Sequence, residues 1–156
     1  MVSCLHMAAG RFHLLMEACR VREVLDPADL DPVPEHGGRL LWRGSVIQAL
    51  DARVLLGEAD SVPPCGAVVC DEQEGAEPVL VLCDRVYGLQ RADERDLRPM
   101  PPTAGPIMAM AGRVMADPAG TVIMYLLKQG GLRQRMDHPD GGQTVPPGAP
   151  AGYAGE

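Results

Sequence analysis

The sequence has few of the residues that recognise nucleotides, nucleic acids and sugars. Its 156 residues include one Phe, one Trp and three Tyr, too few for stacking platforms. The single lysine, Lys128, follows no glycine-rich phosphate loop, and no serine lies in a Gly-x-Ser-x-Gly elbow. The formal charge of −7 gives no basic face for nucleic acid or anionic lipid. These absences argue against acyl transfer, nucleotide hydrolysis and nucleic-acid binding.

Long hydrophobic runs and paired cysteines are also missing. No stretch offers the roughly 18 to 20 uninterrupted apolar residues of a membrane helix, so no direct membrane insertion is predicted. The first residues, MVSCLH, have neither the basic nor the long apolar region of a secretory signal, and we expect a cytoplasmic location. The five cysteines form no Cys-x-x-Cys motif, which predicts buried free thiols in a reducing compartment.

Glycine and proline are abundant, with 18 and 15 residues, and this level favours short strands over long helices. A turn at Ala9-Gly10 would pair two strands, with one apolar face and one mixed face. The predicted pairs are Leu5 with Leu14 and Met7 with Phe12 on the first face, and His6 with His13 and Cys4 with Leu15 on the second.

Two further segments have clear strand patterns, and one has the pattern of a helix. The continuous apolar run 79–83 predicts a strand covered on both sides, and 45–50 predicts another. A short helix is predicted at 51–57, where Asp51 can cap the first turn and Gly57 can end the last.

An internal repeat organises the chain. Arg-Val-x-x-Val/Leu occurs at 20–24 and 85–89, Asp-Leu-x-Pro-x-Pro at 29–34 and 96–101, and Gly-Ser/Thr-Val-Ile-x-x-Leu at 44–50 and 120–126. Each copy is too small to bury a core alone, so we predict an all-β domain at 1–132 made of two small barrels packed together. The repeat gives a first subdomain at about 1–57 and a second at about 78–132. An acidic connector joins them at 58–77, and a flexible Pro/Gly-rich tail follows at 133–156.

One set of side chains has zinc-ligand chemistry. The first hairpin could bring Cys4, His6 and His13 to one face, although no fourth ligand is evident. Cys65 and Cys70 could similarly form a redox pair around Gly66. The same residues are also explained by ordinary structural roles, as exposed histidines on neighbouring strands and as buried free thiols, without zinc binding or redox chemistry. A small zinc or thiol-redox protein is therefore an alternative, while the main prediction includes no cofactor, metal or catalytic residue.

Four motifs, in order and spacing, resemble the CheW-like family of bacterial chemotaxis coupling proteins. They are Val-Arg-Glu-Val at 21–24, Leu-Trp-Arg-Gly at 41–44, the strand segment at 46–51 and Cys-Asp-Arg-Val at 83–86. The resemblance covers about residues 3–132. Leu41, Gln48 and Ala52 stand where the family has Asn, Pro and Leu.

The resemblance implies two SH3-like β-barrels related by a pseudo-twofold repeat, with short connecting helices. It also implies a non-enzymatic adaptor associated with membrane receptor arrays. The expected partners are the cytoplasmic tip of a chemoreceptor (a methyl-accepting chemotaxis protein), held in the crease between the barrels, and the regulatory domain of a CheA-type histidine kinase, held at the barrel ends. An adaptor of a non-motility array, controlling pili or a diguanylate cyclase, is the alternative within this class.

Comparison of the two copies separates candidate core from candidate contacts. Positions that match, Val46/Val122 and Ile47/Ile123, are predicted to be core. Glu23, Arg43 and Asp51 stand opposite Gly88, Ala119 and Leu127, so packing does not demand their charges. By the resemblance Val21 faces partners too, and Trp42 is either half-buried core or an interface anchor. The predicted protein-binding residues are therefore Val21, Glu23, Trp42, Arg43 and Asp51.

Overall fold

A computed structural model describes residues 1–102 and 105–138, and this part of the chain contains eleven strands and three short α-helices. The strands are β1 Val2–Ala9, β2 Phe12–Glu17, β3 Val21–Leu25, β4 Arg39–Trp42, β5 Ser45–Asp51, β6 Gly66–Cys70, β7 Val79–Cys83, β8 Arg85–Ala92, β9 Arg98–Pro99, β10 Ala111–Ala116 and β11 Ile123–Leu127. The helices are α1 Ala52–Leu55, α2 Ile107–Met110 and α3 Gly131–Asp137.

The strands form two sheets, of five and six strands, in which corresponding strands lie in the same order. One sheet, here barrel 1, runs β3-β6-β7-β5-β4, and the other, barrel 2, runs β8-β1-β2-β11-β10-β9. Each sheet has one parallel pair in its interior, β5 with β7 and β11 with β2, among antiparallel neighbours. The 3₁₀ turns after β3 and β8 are equivalent as well, since Asp26 and Asp93 each accept the N–H two residues on. The predicted all-β fold with two related halves is confirmed.

The predicted boundaries of the two halves are wrong. Residues 2–17 form β1 and β2, which pair with β8 and β11 and so belong to barrel 2. Strand β6 lies inside the predicted acidic connector, and together with β7 it completes barrel 1. In barrel 1 the apolar hairpin β6-β7 follows the other strands along the chain. In barrel 2 the apolar hairpin β1-β2 precedes the other strands. A linear repeat cannot show this exchange.

The first hairpin turns one residue later than predicted, which shifts its pairing by two residues. The turn lies at Gly10-Arg11, and Leu5 pairs with Met16 and Met7 with Leu14. A shift of two in the pairing keeps every side chain on its predicted face, because side chains alternate along a strand. The apolar face enters the core that the two barrels share.

The last repeated segment, β5 in one copy and β11 in the other, aligns in the structure with a shift of one residue from the sequence alignment. Ile47 is buried as predicted, but Val46 and Ile123 are each 50% exposed. The burial pattern of β11 matches that of β5 when Ile47 is aligned with Met124, which is fully buried. The prediction that Val46 and Ile123 are core is therefore wrong.

The end of the described chain is ordered beyond the predicted boundary at 132. Helix α3 continues to Asp137, its Leu132 is fully buried, and Arg135 Nε donates to the Leu55 carbonyl at 2.8 Å. Glu72, a buried acid, accepts the N–H of Leu132 at 2.6 Å and fixes the helix start. The rest of the predicted tail, 139–156, lies outside the described residues.

Candidate protein-binding site

The hairpin between β4 and β5 presents Arg43 to solvent. Its two-residue turn has φ angles of 46° at Arg43 and 81° at Gly44, a combination that suits a tight hairpin but that a side chain rarely adopts. The Arg43 side chain is 66% exposed. The strained backbone at this exposed arginine lowers stability locally, and strained positions of this kind concentrate at functional sites.

Glu23 and Trp42 hold Arg43 in place, and we call these three residues the turn cluster. Trp42 Nε1 donates to Glu23 Oε1 at 2.8 Å, and the Arg43 guanidinium lies 3.5 Å from the same oxygen. The guanidinium also lies 5.0 Å from the centre of the indole ring. Because β3 and β4 are opposite edges of the five-stranded sheet, the Glu23–Trp42 bond also helps to close barrel 1.

The other two predicted site residues lie elsewhere. Val21 is half-buried against the shared core at the start of β3. Asp51 is 7% exposed, and its carboxylate caps α1 and pairs with Arg53 at 2.9 Å. It stands at the far end of β5 from the turn, about 20 Å along the strand. The structure thus brings together Glu23, Trp42 and Arg43, and buries Asp51 apart from them.

Apolar residues that the sequence reasoning missed lie beside the turn cluster. Leu41 and Val46 are opposite each other on the outer side of the hairpin, 71% and 50% exposed. Leu40 and Trp42 are half-buried and Leu41 is exposed, because side chains alternate along β4. The sequence Arg-Leu-Leu-Trp has three apolar residues in a row, so it gave no signal for which of them is exposed. An apolar pair next to an arginine is the composition of a protein-binding surface.

A crevice of about 500 Å³ separates the barrels, and we call it the inter-barrel crease. One wall comes from the end of β3 and the other from the start of β8. Val24 and Tyr87 are both about half exposed at this crevice. The crease is lined by Leu5, Val24, Leu25, Asp26, Cys65, Gly66, Arg85, Val86, Tyr87 and Gly88.

The candidate zinc and redox residues are arranged for neither purpose. His6 Nε2 and His13 Nδ1 form a hydrogen bond of 2.9 Å, and no group of three or more potential ligands occurs within 1–102 and 105–138. Burial raises the pKa of the Cys4 thiol to about 11, which disfavours the thiolate that a metal needs. Cys65 precedes β6 and Cys70 is its last residue, so the extended strand holds the two thiols apart, and all five cysteines are free. The structure therefore gives no support to the zinc or redox alternative.

Two small barrels with a shared core, an exposed charged turn and an open crease have the architecture of a scaffold domain. The chain belongs to the CheW-like domain family, whose sequence profile matches residues 3–126. The fold is similar to that of the scaffolding protein TtCheW from Thermoanaerobacter tengcongensis, with a TM-score of 0.67 and 16% identity over 81% of this chain and 88% of that one. The SH3-like character of the barrels is thereby confirmed. Comparison with curated proteins gave no match. None of the helices within the described residues has the length and apolar character to cross a membrane.

Proposed function

We propose that this protein is a non-enzymatic cytoplasmic adaptor that couples the tips of chemoreceptors to a CheA-type histidine kinase. Family membership supports an adaptor role. The observation that carries the proposal is the turn cluster, in which Glu23 and Trp42 hold an exposed Arg43 at the positions of two family motifs. The Arg43 side chain is 66% exposed and lies outside the buried core of barrel 1, so contact with a partner is its natural use.

The two surfaces suit two different partners. The inter-barrel crease is open and partly apolar, and we expect it to accept the helical tip of a receptor. The turn cluster lies at an end of barrel 1, where a regulatory domain of related fold can contact it. Each contact is small, and many such contacts in a membrane-associated lattice accumulate through effective concentration. Kinase output then changes only as far as these contacts differ between active and inactive arrays.

The decisive experiment reverses the charge of the turn cluster. Arg43→Glu should fold normally, since an exposed ion pair contributes about 1 kcal/mol or less. It should nevertheless lose co-sedimentation with a receptor fragment and the kinase, because the new carboxylate repels Glu23 and any acidic partner group. The matched control is Arg95→Glu on barrel 2, an 84% exposed arginine paired with Asp93 at 3.0 Å.

The outcomes separate the site from the function. If Arg43→Glu co-sediments as well as the wild type, the turn cluster is not the contact. If the wild-type protein itself binds neither a receptor tip nor a kinase regulatory domain from the same genome, the adaptor role is wrong.

A further inference from the structure

A buried arginine at the end of β5 opposite the turn, Arg53, joins three separate segments of the chain. Arg53, in α1, is 4% exposed. Its guanidinium pairs with Asp51 through Nε at 3.1 Å and a terminal nitrogen at 2.9 Å. Its other terminal nitrogen donates to the Val62 carbonyl at 2.7 Å and to the Asp84 carboxylate at 3.2 Å, and lies 3.9 Å from Asp60.

Two of these contacts fall on connections rather than on regular elements. Asp84 is the single residue between β7 of barrel 1 and β8 of barrel 2. Its other carboxylate oxygen accepts the Gly10 N–H, and its own N–H donates to the Ala8 carbonyl at 2.9 Å, both in barrel 2. Arg53 therefore holds the point where the chain passes from one barrel to the other.

The inter-barrel crease begins at the same place. Its wall in β8 starts at Arg85, the residue after Asp84. The edge formed by Cys65 and Gly66 lies three residues after Val62, whose carbonyl Arg53 holds. One guanidinium thus fixes the start of two crease-lining segments with directed hydrogen bonds.

We propose that Arg53 is the positioning residue of the crease, which holds Val62 and Asp84 so that the walls keep the separation that a receptor tip needs. This inference rests on the proposed function, because it names what shapes the receptor-binding surface. Arg53 does not contact the receptor; it acts through the two segments that do.

The planar fork of arginine is essential to this role. Three acceptors surround Arg53 in different directions, and a guanidinium can bind all of them at once. A lysine ammonium keeps the charge but is a point on a flexible stem, so it cannot serve the same acceptors in fixed directions. Arg53→Lys should therefore keep the fold and loosen the crease.

Cys65 makes the crease measurable. Cys65 and Cys19 are exposed, whereas Cys4, Cys70 and Cys83 are buried. In the Cys19→Ser protein, alkylation reports the crease, and in the Cys65→Ser protein it reports a site away from the crease. Cys65 is already exposed, but its thiol donates to the Pro63 carbonyl, next to Val62. With Arg53→Lys we expect Cys65 to react about threefold faster or more, because release of the Val62 segment frees the thiol from this contact, and Cys19 to react at an unchanged rate.

The binding test uses a soluble cytoplasmic fragment of a chemoreceptor from the same genome. Arg53→Lys should weaken binding of this fragment about tenfold, since a small misplacement of contacting groups has an effect of that size. Binding of the kinase regulatory domain should change by less than about twofold, because the turn cluster is about 20 Å away along β5. The matched control is Arg113→Lys, which alters a two-bonded arginine–carboxylate pair with Glu94 elsewhere on barrel 2.

A second variant keeps the inference falsifiable if Arg53→Lys does not fold. Asp84→Asn retains an acceptor but removes the charge, and should weaken receptor binding and speed Cys65 alkylation in the same directions. If both variants fold and match the wild type in Cys65 reactivity and receptor affinity, the inference is overturned. If the wild type does not bind the receptor fragment, the proposed function fails instead, while Cys65 reactivity still tests whether Arg53 shapes the crease.

Discussion

At the scale of single residues, Arg43 combines an unfavourable backbone with favourable side-chain contacts. Its φ of 46° belongs to the left-handed region, where Asn is tolerated far better than Arg. Asn-Gly is also the preferred pair for a two-residue hairpin turn. Arg43 is therefore better explained by binding than by folding.

Arg43→Asn tests this division. Relief of strain and loss of the exposed contacts to Glu23 and Trp42 should offset each other to within about 1 kcal/mol of unfolding free energy. Kinase-domain binding should fall by about tenfold, as is usual for loss of an interface arginine. Chemical denaturation and a binding titration on the same samples check both halves. A stability loss of several kcal/mol would show that Arg43 is structural.

His36 connects the fold to pH. Its Nδ1 accepts the Asp51 N–H at 2.9 Å, which requires an unprotonated nitrogen. Burial lowers the pKa of His36 below its ordinary 6.5, and the Asp51 carboxylate opposes this shift in part. A lowered pKa means that the unfolded chain binds the proton more readily. The stability from this histidine is therefore complete above pH 6.5 and is lost as pH falls through the folded pKa.

His36→Asn should reduce that pH dependence, because the Asn side-chain oxygen can accept the same N–H without titrating. Between pH 7.5 and 5.5 we expect the variant to lose less unfolding free energy than the wild type. Burial and His13 also lower the pKa of His6, whereas burial raises the pKa of Glu72 and acts in the opposite direction. The difference between the variant and the wild type isolates His36. Urea titrations at several pH values, with exposed His138→Asn as control, provide the measurement.

At the scale of elements, helix α3 depends on a close approach of two backbones. A methyl group added at Gly131 would lie 2.5 Å from the Met110 carbonyl oxygen, far inside contact distance. Because backbone atoms cannot rotate away, Gly131→Ala must displace α3 from α2.

Gly131→Ala should lower the free energy of unfolding by about 2 kcal/mol or more, as overpacking does. Gly112→Ala is the control, since its methyl group would meet Lys128 Cβ at 3.6 Å, an ordinary contact. Hydrogen exchange should show weaker protection of α3 in the first variant alone. Equal stability of the two variants would contradict the close packing of α3 against α2.

The elements that the sequence predicted are those specified locally. The apolar run of β7 and the Asp51 cap of α1 need no knowledge of distant residues, and both are confirmed. Helix α3 was missed because its stability comes from Glu72, Gly131 and buried Leu132 rather than from its own composition. The motifs named Glu23, Trp42 and Arg43 as candidates without showing that they meet. Their contact depends on the closure of barrel 1, and the crease depends on how β3 and β8 meet.

At the scale of the whole molecule, the two barrels share one core. The largest buried cluster joins Met7, Leu14 and Met16 of barrel 2 to Leu50 and Val81 of barrel 1. Neither barrel alone could shield these apolar side chains from water, since a domain of about half this size buries too small a fraction of its surface. We therefore expect both barrels to unfold in a single transition.

Leu14→Ala gives the most direct test of this coupling, because Leu14 belongs to barrel 2 and the one tryptophan, Trp42, belongs to barrel 1. The substitution should lower the unfolding free energy by about 3 to 5 kcal/mol through the cavity it leaves. The unfolding transitions seen by Trp42 fluorescence and by far-UV circular dichroism should shift together. Removing a side chain from barrel 2 also removes packing from the core that barrel 1 shares. Exposed Leu41→Ala should shift neither. A Trp42 transition that stays in place while the circular dichroism transition moves would mean that barrel 1 folds independently, and a scaffold of two independent barrels could not keep a crease of fixed width.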